Sequence, residues 1–340
     1  MGIMITPIKS GGLDAITDVA GVEVGHFTDP RRPTGCSVVL VRGGAVAGVD
    51  VRGAAPGTRE TDLLDPCNAV DTVHAILLSG GSAWGLDAAA GVMRWLEGQG
   101  IGLQVGTARV PIVPAAVLFD LLVGDGDLRP DAQAGFEACE AASSRSPAQG
   151  NVGAGAGAAI GKMFGMAHAM KGGIGSASVT VEDVTVGALV ACNALGDVLD
   201  PDTGALIAGA RTPDGAGLRD TRRSLLRGEP PQPILAGTNT TIGVIATDTT
   251  VTKVQARRLS MAGHDGLARC INPAHTLSDG DTLFALGTGM TKRTPGMTVL
   301  SVMAAEAVAR ATVRAVRAAH SVQAGATWLP GLSGDVPGEA

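Results

Sequence analysis

Residues 237–248 read G-T-N-T-T-I-G-V-I-A-T-D. An Asn-Thr pair, Asn239-Thr240, stands between a proline-rich segment and an apolar run, 242–246, with the composition of a strand. Cleavage of the bond between Asn239 and Thr240 would give Thr240 a free α-amine beside its hydroxyl. A nucleophile and its base would then sit on one residue. The plainer reading of the same dipeptide is an ordinary boundary between a loop and a strand.

Outward from this run, short β-branched segments alternate with longer Ala-rich ones. Residues 36–41 and 45–51 read as strands parted by a hairpin-like turn at Arg42-Gly43-Gly44. Residues 73–78 read as a strand that ends at Ser79-Gly80-Gly81-Ser82, and an Ala-rich helix follows over 84–97. Residues 179–192 fit two strands around a turn at Glu182-Asp183, and 282–286 another strand. Periodicity places helices over 131–142, 254–270 and 299–320. The apolar run 111–122 suits either strand or helix. The polar, breaker-rich stretch 215–233, with Pro230-Pro231-Gln232-Pro233, reads as an exposed loop. No internal repeat or boundary divides the chain, so a single domain over 1–340 is expected.

Composition narrows the function classes. The 340 residues are 45% apolar and 17% charged, enough for a large core. Fifty glycines and only 2% aromatic residues suggest close approach of backbones. With a net charge of −6 and dispersed Arg pairs, nucleic acid is an unexpected partner. Five widely spaced cysteines without C-x-x-C read as free thiols in a reducing compartment. No signal peptide or membrane span is legible, so a cytoplasmic protein is expected.

Several segments carry candidate chemistry. The run G-A-G-A-G-A-A-I-G-K, 153–162, is not a phosphate loop, because Ala156 and Met163 occupy its required positions. Lys162 ends that run among apolar neighbours and needs an anionic partner or a role. In H-T-L-S-D-G-D-T-L-F, 275–284, Asp279 and Asp281 would face one side of an extended segment. Such a pair can hold a proton, orient an amine or bind a cation; a polar turn is the plainer account. Asn193 ends an apolar strand, as turn-forming Asn often does, yet its amide can also donate to an oxyanion. His264, His275 and His320 lack metal-ligand spacing and read as structural or surface residues. No metal is expected.

Taken in order, these segments resemble the self-processing L-aminopeptidase/D-esterase family, which includes β-aminopeptidases and the 6-aminohexanoate-oligomer endohydrolases. The matching stretches are I-T-D-V-A-G-V-E-V-G-H from Ile16, G-T-R-E-T-D-L-L-D-P from Gly57 and L-S-G-G-S-A-W-G-L-D-A-A from Leu78. V-P-A-A-V-L-F-D-L from Val113 and G-N-V-G-A-G-A-G-A-A-I-G-K from Gly150 continue it. N-T-T-I from Asn239 and H-D-G-L-A-R-C-I-N-P-A-H-T-L-S-D-G-D-T-L-F-A from His264 complete it.

The resemblance implies an α+β fold, a four-layer αββα sandwich with two central mixed β-sheets. It implies autocleavage into an α chain 1–239 and a β chain 240–340, which stay associated and assemble into a homo-oligomer such as a tetramer. Thr240 maps to the nucleophile, Asn193 and Lys162 to active-site positions, and Asp279 and Asp281 to the acidic pair of the oligomer-hydrolase branch. No cofactor is implied, and the substrate class is a small amide or peptide. Phe119 replaces a Tyr of close relatives, and Val117 replaces the Glu that holds a substrate's free ammonium in the aminopeptidases. Strict recognition of an N-terminal amine is therefore not expected. A self-cleaving acyltransferase of the ornithine-acetyltransferase type is the first alternative, although 235–239 do not match that family's junction. A catalytically silent binding protein of the same fold is the second.

Overall fold

The computed structural model describes residues 8–233 and 237–332. The reading of the first seven residues, and of Leu235-Ala236 before the junction, lies outside the described residues. Nine strands form one hydrogen-bonded sheet: β1 Glu23–Thr28, β2 Gly35–Val51, β3 Thr58–Arg59, β4 Thr72–Ser79, β5 Ala115–Val117, β6 Gly173–Val181, β7 Val184–Asn193, β8 Thr240–Thr249 and β9 Thr282–Thr291. Their order is β6-β7-β8-β9-β2-β4-β5-β3, with β1 on the other edge of the first half of β2. The pairs β8–β9 and β4–β5 are parallel and the others antiparallel, so the sheet is mixed.

The sheet folds over on itself through β2. The hairpin expected at Arg42-Gly43-Gly44 is instead an irregularity inside one 17-residue strand. Register against β4 shifts between Leu40 and Ala45, and Gly44 takes φ +82°, which a side chain would resist. Before this bend β2 pairs with β1; after it, residues Val46–Val51 pair with β9.

Side-chain alternation shows the layers directly. Val39, Val41, Ile76 and Leu78 from one half meet Leu189, Ala191, Ile242, Val244, Phe284 and Leu286 from the other in one buried cluster. The outward neighbours on the first half, Val38, Leu40, Ala75 and Leu77, pack instead on helices α1 Ala88–Gly98 and α2 Ala132–Glu140. Those on the second half, Val190, Ile245, Leu283 and Ala285, pack on α4 Lys253–Cys270 and α5 Met297–Arg317. The result is helix, sheet, sheet, helix, with both sheet layers linked by β2. A short helix, α3 Thr221–Leu226, interrupts the loop expected over 215–233.

Local chemistry explains the helix boundaries. Asp131 caps α2 by accepting from the Ala134 amide, and Thr252 with Gln255 forms a capping box on α4. The helix expected over 84–97 splits into a 3-10 turn, Ser82–Asp87, and α1. The run 111–122 yields only the three-residue strand β5 and irregular backbone. Glu182 and Asp183, both at positive φ, make the turn between β6 and β7.

Small residues set the spacing of the layers. A Cβ added at Gly91 of α1 would lie 1.6 Å from the Ala132 carbonyl oxygen of α2. Added at Gly98 of the same helix it meets nothing within 4 Å. Gly91→Ala should therefore destabilise by ~1–3 kcal/mol or more through overpacking. Gly98→Ala should be neutral or stabilise by up to ~1 kcal/mol. Denaturant midpoints of the two variants check the opposite signs.

Candidate active site

Thr240 is the first residue of β8, a strand in the interior of the sheet with β7 on one side and β9 on the other. Antiparallel register places Asn193, the last residue of β7, opposite Thr240. A parallel bridge joins Asn239 to Asp279, just before β9. Thr240, Asn193, Asn239, Asp279 and Asp281 are all buried, as is Lys162. Side chains distant in sequence thus converge where three strands begin or end.

The Asn239–Thr240 peptide is held on three successive units. Lys162 Nζ donates to the Thr238 carbonyl at 3.1 Å. The Asn239 carbonyl accepts from the Gly280 amide at 2.9 Å and from Thr240 Oγ1 at 2.5 Å. The Thr241 amide donates to Asp281 Oδ1 at 2.6 Å. The hydroxyl of Thr240 is therefore turned towards the carbonyl that precedes it.

Asn193 is fixed in one orientation. Its Oδ1 accepts from the Ala159 amide at 2.9 Å and from Lys162 Nζ at 3.0 Å, and its Nδ2 donates to the Phe119 carbonyl at 3.1 Å. That leaves one Nδ2 hydrogen for a further acceptor. Lys162 Nζ also donates to the Asn193 carbonyl at 2.9 Å. The anionic partner expected for Lys162 is not in contact: its three acceptors are two carbonyls and an amide oxygen. Burial pushes its pKa down to about 7, partly offset by the charge of Asp279. The three acceptors match the three hydrogens of the ammonium form.

The acidic pair is electrostatically divided. Asp281 collects three donors: the Thr241 amide on Oδ1, and the His275 amide (3.2 Å) and ring Nδ1 (2.8 Å) on Oδ2. Asp279 Oδ2 accepts from the Thr276 amide at 2.7 Å. Burial raises the pKa of Asp279, and the Asp281 charge raises it further. Asp279 is thus the carboxyl that more readily keeps a proton, while Asp281 is the one held by three donors.

A cavity of about 240 Å³ opens beside this cluster. Its walls include Phe119, Leu122, Val123, Ala159, Met166 and Pro233, with Lys162, Asn193 and Asn239 at the reacting end. Val117 is not among them: it is buried, with its Cγ2 2.6 Å from where a Cβ on Gly57 would stand. Asp120 lies at the wall, but its carboxylate is committed to Arg32 at 2.5 Å, to Thr34 Oγ1 and to the Gly81 amide.

Sequence reasoning passed over two groups that the structure brings in. His275, read as structural or surface, seats its ring on Asp281; it lies six residues before that acid, in the segment already singled out. The Gly280 amide reaches the Asn239 carbonyl. Its only sequence signal is a glycine between the two acids, which leaves the backbone open to approach. His264 is buried and donates from Nε2 to the Asp50 carbonyl, 3.0 Å away, with burial lowering its pKa to about 4. His320 is exposed. Among the described residues no group of His, Cys, Asp or Glu side chains is placed to hold a metal ion.

Comparison with known proteins gives the family and the fold. The family model Peptidase family S58 matches residues 14–327. An uncharacterized aminopeptidase of Mycobacterium leprae is 44% identical, over 97% of this chain and 96% of its own. A 6-aminohexanoate-oligomer endohydrolase of Kocuria sp. is 32% identical, over 84% of this chain and 78% of its own. Among solved structures, a Burkholderia sp. β-aminopeptidase superposes with a TM-score of 0.71 at 24% identity, covering 97% of this chain and 94% of that one. The L-aminopeptidase D-Ala-esterase/amidase of Ochrobactrum anthropi, described as a variant of the Ntn hydrolase fold, gives 0.71 at 21% identity, over 96% and 93% of the two chains.

A second buried lysine offers a test of the electrostatics away from the reacting atoms. Lys171 Nζ donates to the carbonyls of Gly155 (2.8 Å), Ala158 (3.0 Å) and Gly172 (2.8 Å), under the glycine-rich run that leads to Lys162. Burial lowers its pKa from 10.5 to about 7. Between those values the unfolded chain binds the extra proton, so this contribution to stability rises with pH and is lost as pH falls through about 7. Over pH 8–9, unfolding free energy of the native protein should rise more steeply than that of Lys171→Met, by up to about 1.4 kcal/mol per pH unit. Denaturant titrations at the two pH values measure the difference.

Proposed function

The chain belongs to peptidase family S58 and is a hydrolase of amide bonds, and we propose that Thr240, freed by self-cleavage after Asn239, is its nucleophile. The observation that carries this reading is the aim of Thr240 Oγ1, 2.5 Å from the oxygen of the carbonyl it would attack, in a buried site. In the precursor, Oγ1 attacks the Asn239 carbonyl carbon and an Oγ–C bond forms. The Asn239–Thr240 C–N bond breaks, and the hydroxyl proton ends on the Thr240 nitrogen. Water then hydrolyses the ester, giving Asn239 a carboxylate and Thr240 its hydroxyl and α-amine.

In the mature enzyme the same oxygen attacks a substrate amide. The α-amine, with a reference pKa of about 8, takes the proton near neutral pH. Asn193 has one amide hydrogen free for the developing oxyanion. Lys162, held by Asn193, places positive charge beside it. Asp281 anchors the start of β8 through Thr241, and Asp279 orients the amine. After the cut, chains 1–239 and 240–340 stay together, because β8 and β9 of one are hydrogen-bonded to β7 and β2 of the other. The whole acts as a single domain that assembles further into a homo-oligomer.

The cavity supports an aliphatic acyl group as the substrate element that enters. Its described walls are largely apolar, and the one carboxylate among them, Asp120, is already paired with Arg32. A substrate need not present a free N-terminal amine, as an internal amide of an aliphatic oligomer does not.

A p-nitroanilide panel with free and N-acylated aliphatic amines tests the substrate reading. N-acylated members should be turned over at comparable kcat/KM; strict dependence on a free amine would overturn it. Thr240→Ala should abolish hydrolysis. Asn193→Ala should lower kcat by ~10²–10³-fold, the size of effect of losing one oxyanion donor, and steady-state kinetics checks both.

A further inference from the structure

We propose that the backbone N–H of Gly280 is an oxyanion donor when Thr240 attacks, first on the Asn239 carbonyl and then on the substrate. The inference rests on the self-cleavage reading above and adds a reacting group to it. The Gly280 amide donates to the oxygen of the very carbonyl that becomes tetrahedral, at 2.9 Å. As Oγ1 adds to the carbonyl carbon, that oxygen takes up negative charge, and a donor already aimed at it binds the charge more tightly than the neutral carbonyl.

The donor is held in place before the reaction. The Asp279 carbonyl accepts from the Ala55 amide at 2.9 Å. The Asp281 carbonyl accepts from the Arg52 and Gly53 amides at 3.0 and 3.3 Å, and the Gly280 carbonyl from Thr282 Oγ1 at 2.9 Å. Side chains pin the same segment: Asp279 to the Thr276 amide, Asp281 to Thr241 and His275. Such a donor needs no reorganisation in the transition state. The residue type also fits. A Cβ at Gly280 would stand 2.7 Å from the Ala55 carbonyl oxygen and 3.0 Å from Thr240 Oγ1, so a side chain there would crowd the nucleophile.

Of the two neighbouring donors, Asn193 has a single hydrogen left to give and Lys162 has none. One hydrogen of Asn193 Nδ2 is given to the Phe119 carbonyl. The three hydrogens of Lys162 go to Asn193 and to Thr238, one peptide earlier than the carbonyl attacked. When the chain ends at Asn239 and a substrate carbonyl takes its place before Oγ1, the Gly280 N–H is released to it.

Replacing Gly280 by glycolic acid, through suppressor-tRNA translation of the full chain, turns this N–H into an ester oxygen and leaves the side chain unchanged. Self-cleavage should slow by ~10²–10³-fold relative to the native sequence, with far-UV circular dichroism retained. Cleavage within about threefold of native, in a chain that folds, would overturn the proposal and mark the bond as a sheet contact only. If the native chain itself does not cleave, the self-cleavage reading fails instead, which separates the two failures. If the ester chain does not fold, the native mature enzyme decides. With Asp carbonyl-13C and Gly 15N labelling, the Gly280 amide proton should move downfield when an aliphatic boronic acid forms a tetrahedral adduct on Thr240. An unmoved resonance with adduct formed would overturn the proposal.

Discussion

β8 is hydrogen-bonded along both of its edges, and this pairing locates the site. Antiparallel register with β7 puts Asn193 across from Thr240, and parallel register with β9 puts Ile242 across from Thr282, just past the acidic pair. Neither register can slip by one residue without moving Ile242, Val244 and Ala246 out of the core between the sheet layers. The first residue of β8 is therefore located by the packing of the strand behind it. A chain end created there would find its neighbours already in place.

Three adjacent peptides at this point are gripped by three different groups, and each grip has its own electrostatic character. Lys162 brings positive charge to the Thr238 carbonyl. Gly280 brings a neutral dipole to the Asn239 carbonyl. The Asp281 side chain accepts from the Thr241 amide. Donors thus give way to an acceptor along the segment, with the carbonyl open to attack in the middle. His275 belongs to this arrangement because it supplies two of the three hydrogen bonds that hold the Asp281 side chain in place beside a second carboxyl. Burial makes each of these contacts count, since an unmatched charge here would be costly.

Much of the scaffold was legible in the sequence because burial wrote a period into it. The helices over 254–270 and 299–320 and the turn at Glu182-Asp183 follow from spacing and turn chemistry alone, and the structure places them within a few residues. The bend in β2 was not legible as such: Arg42-Gly43-Gly44 has the composition of a hairpin, and only pairing with both β4 and β9 makes it a fold within one strand. The candidate site was legible through the family resemblance rather than through residue spacing, and Thr240, Asn193, Lys162, Asp279 and Asp281 do come together. Their partners were hidden for a physical reason. The Gly280 donor is backbone, which carries no side-chain signature, and the neutral acceptors of Lys162 depend on long-range register.

Hydrolysis by this mechanism requires that Thr240 become an N-terminus. Intact mass spectrometry of the purified, active protein, followed by N-terminal sequencing of its smaller component, tests it most directly. Self-cleavage would yield two chains, the smaller beginning Thr-Thr-Ile-Gly, and Thr240→Ala would leave a single uncut chain. Full hydrolytic activity from an unbroken 33.9 kDa chain would contradict it.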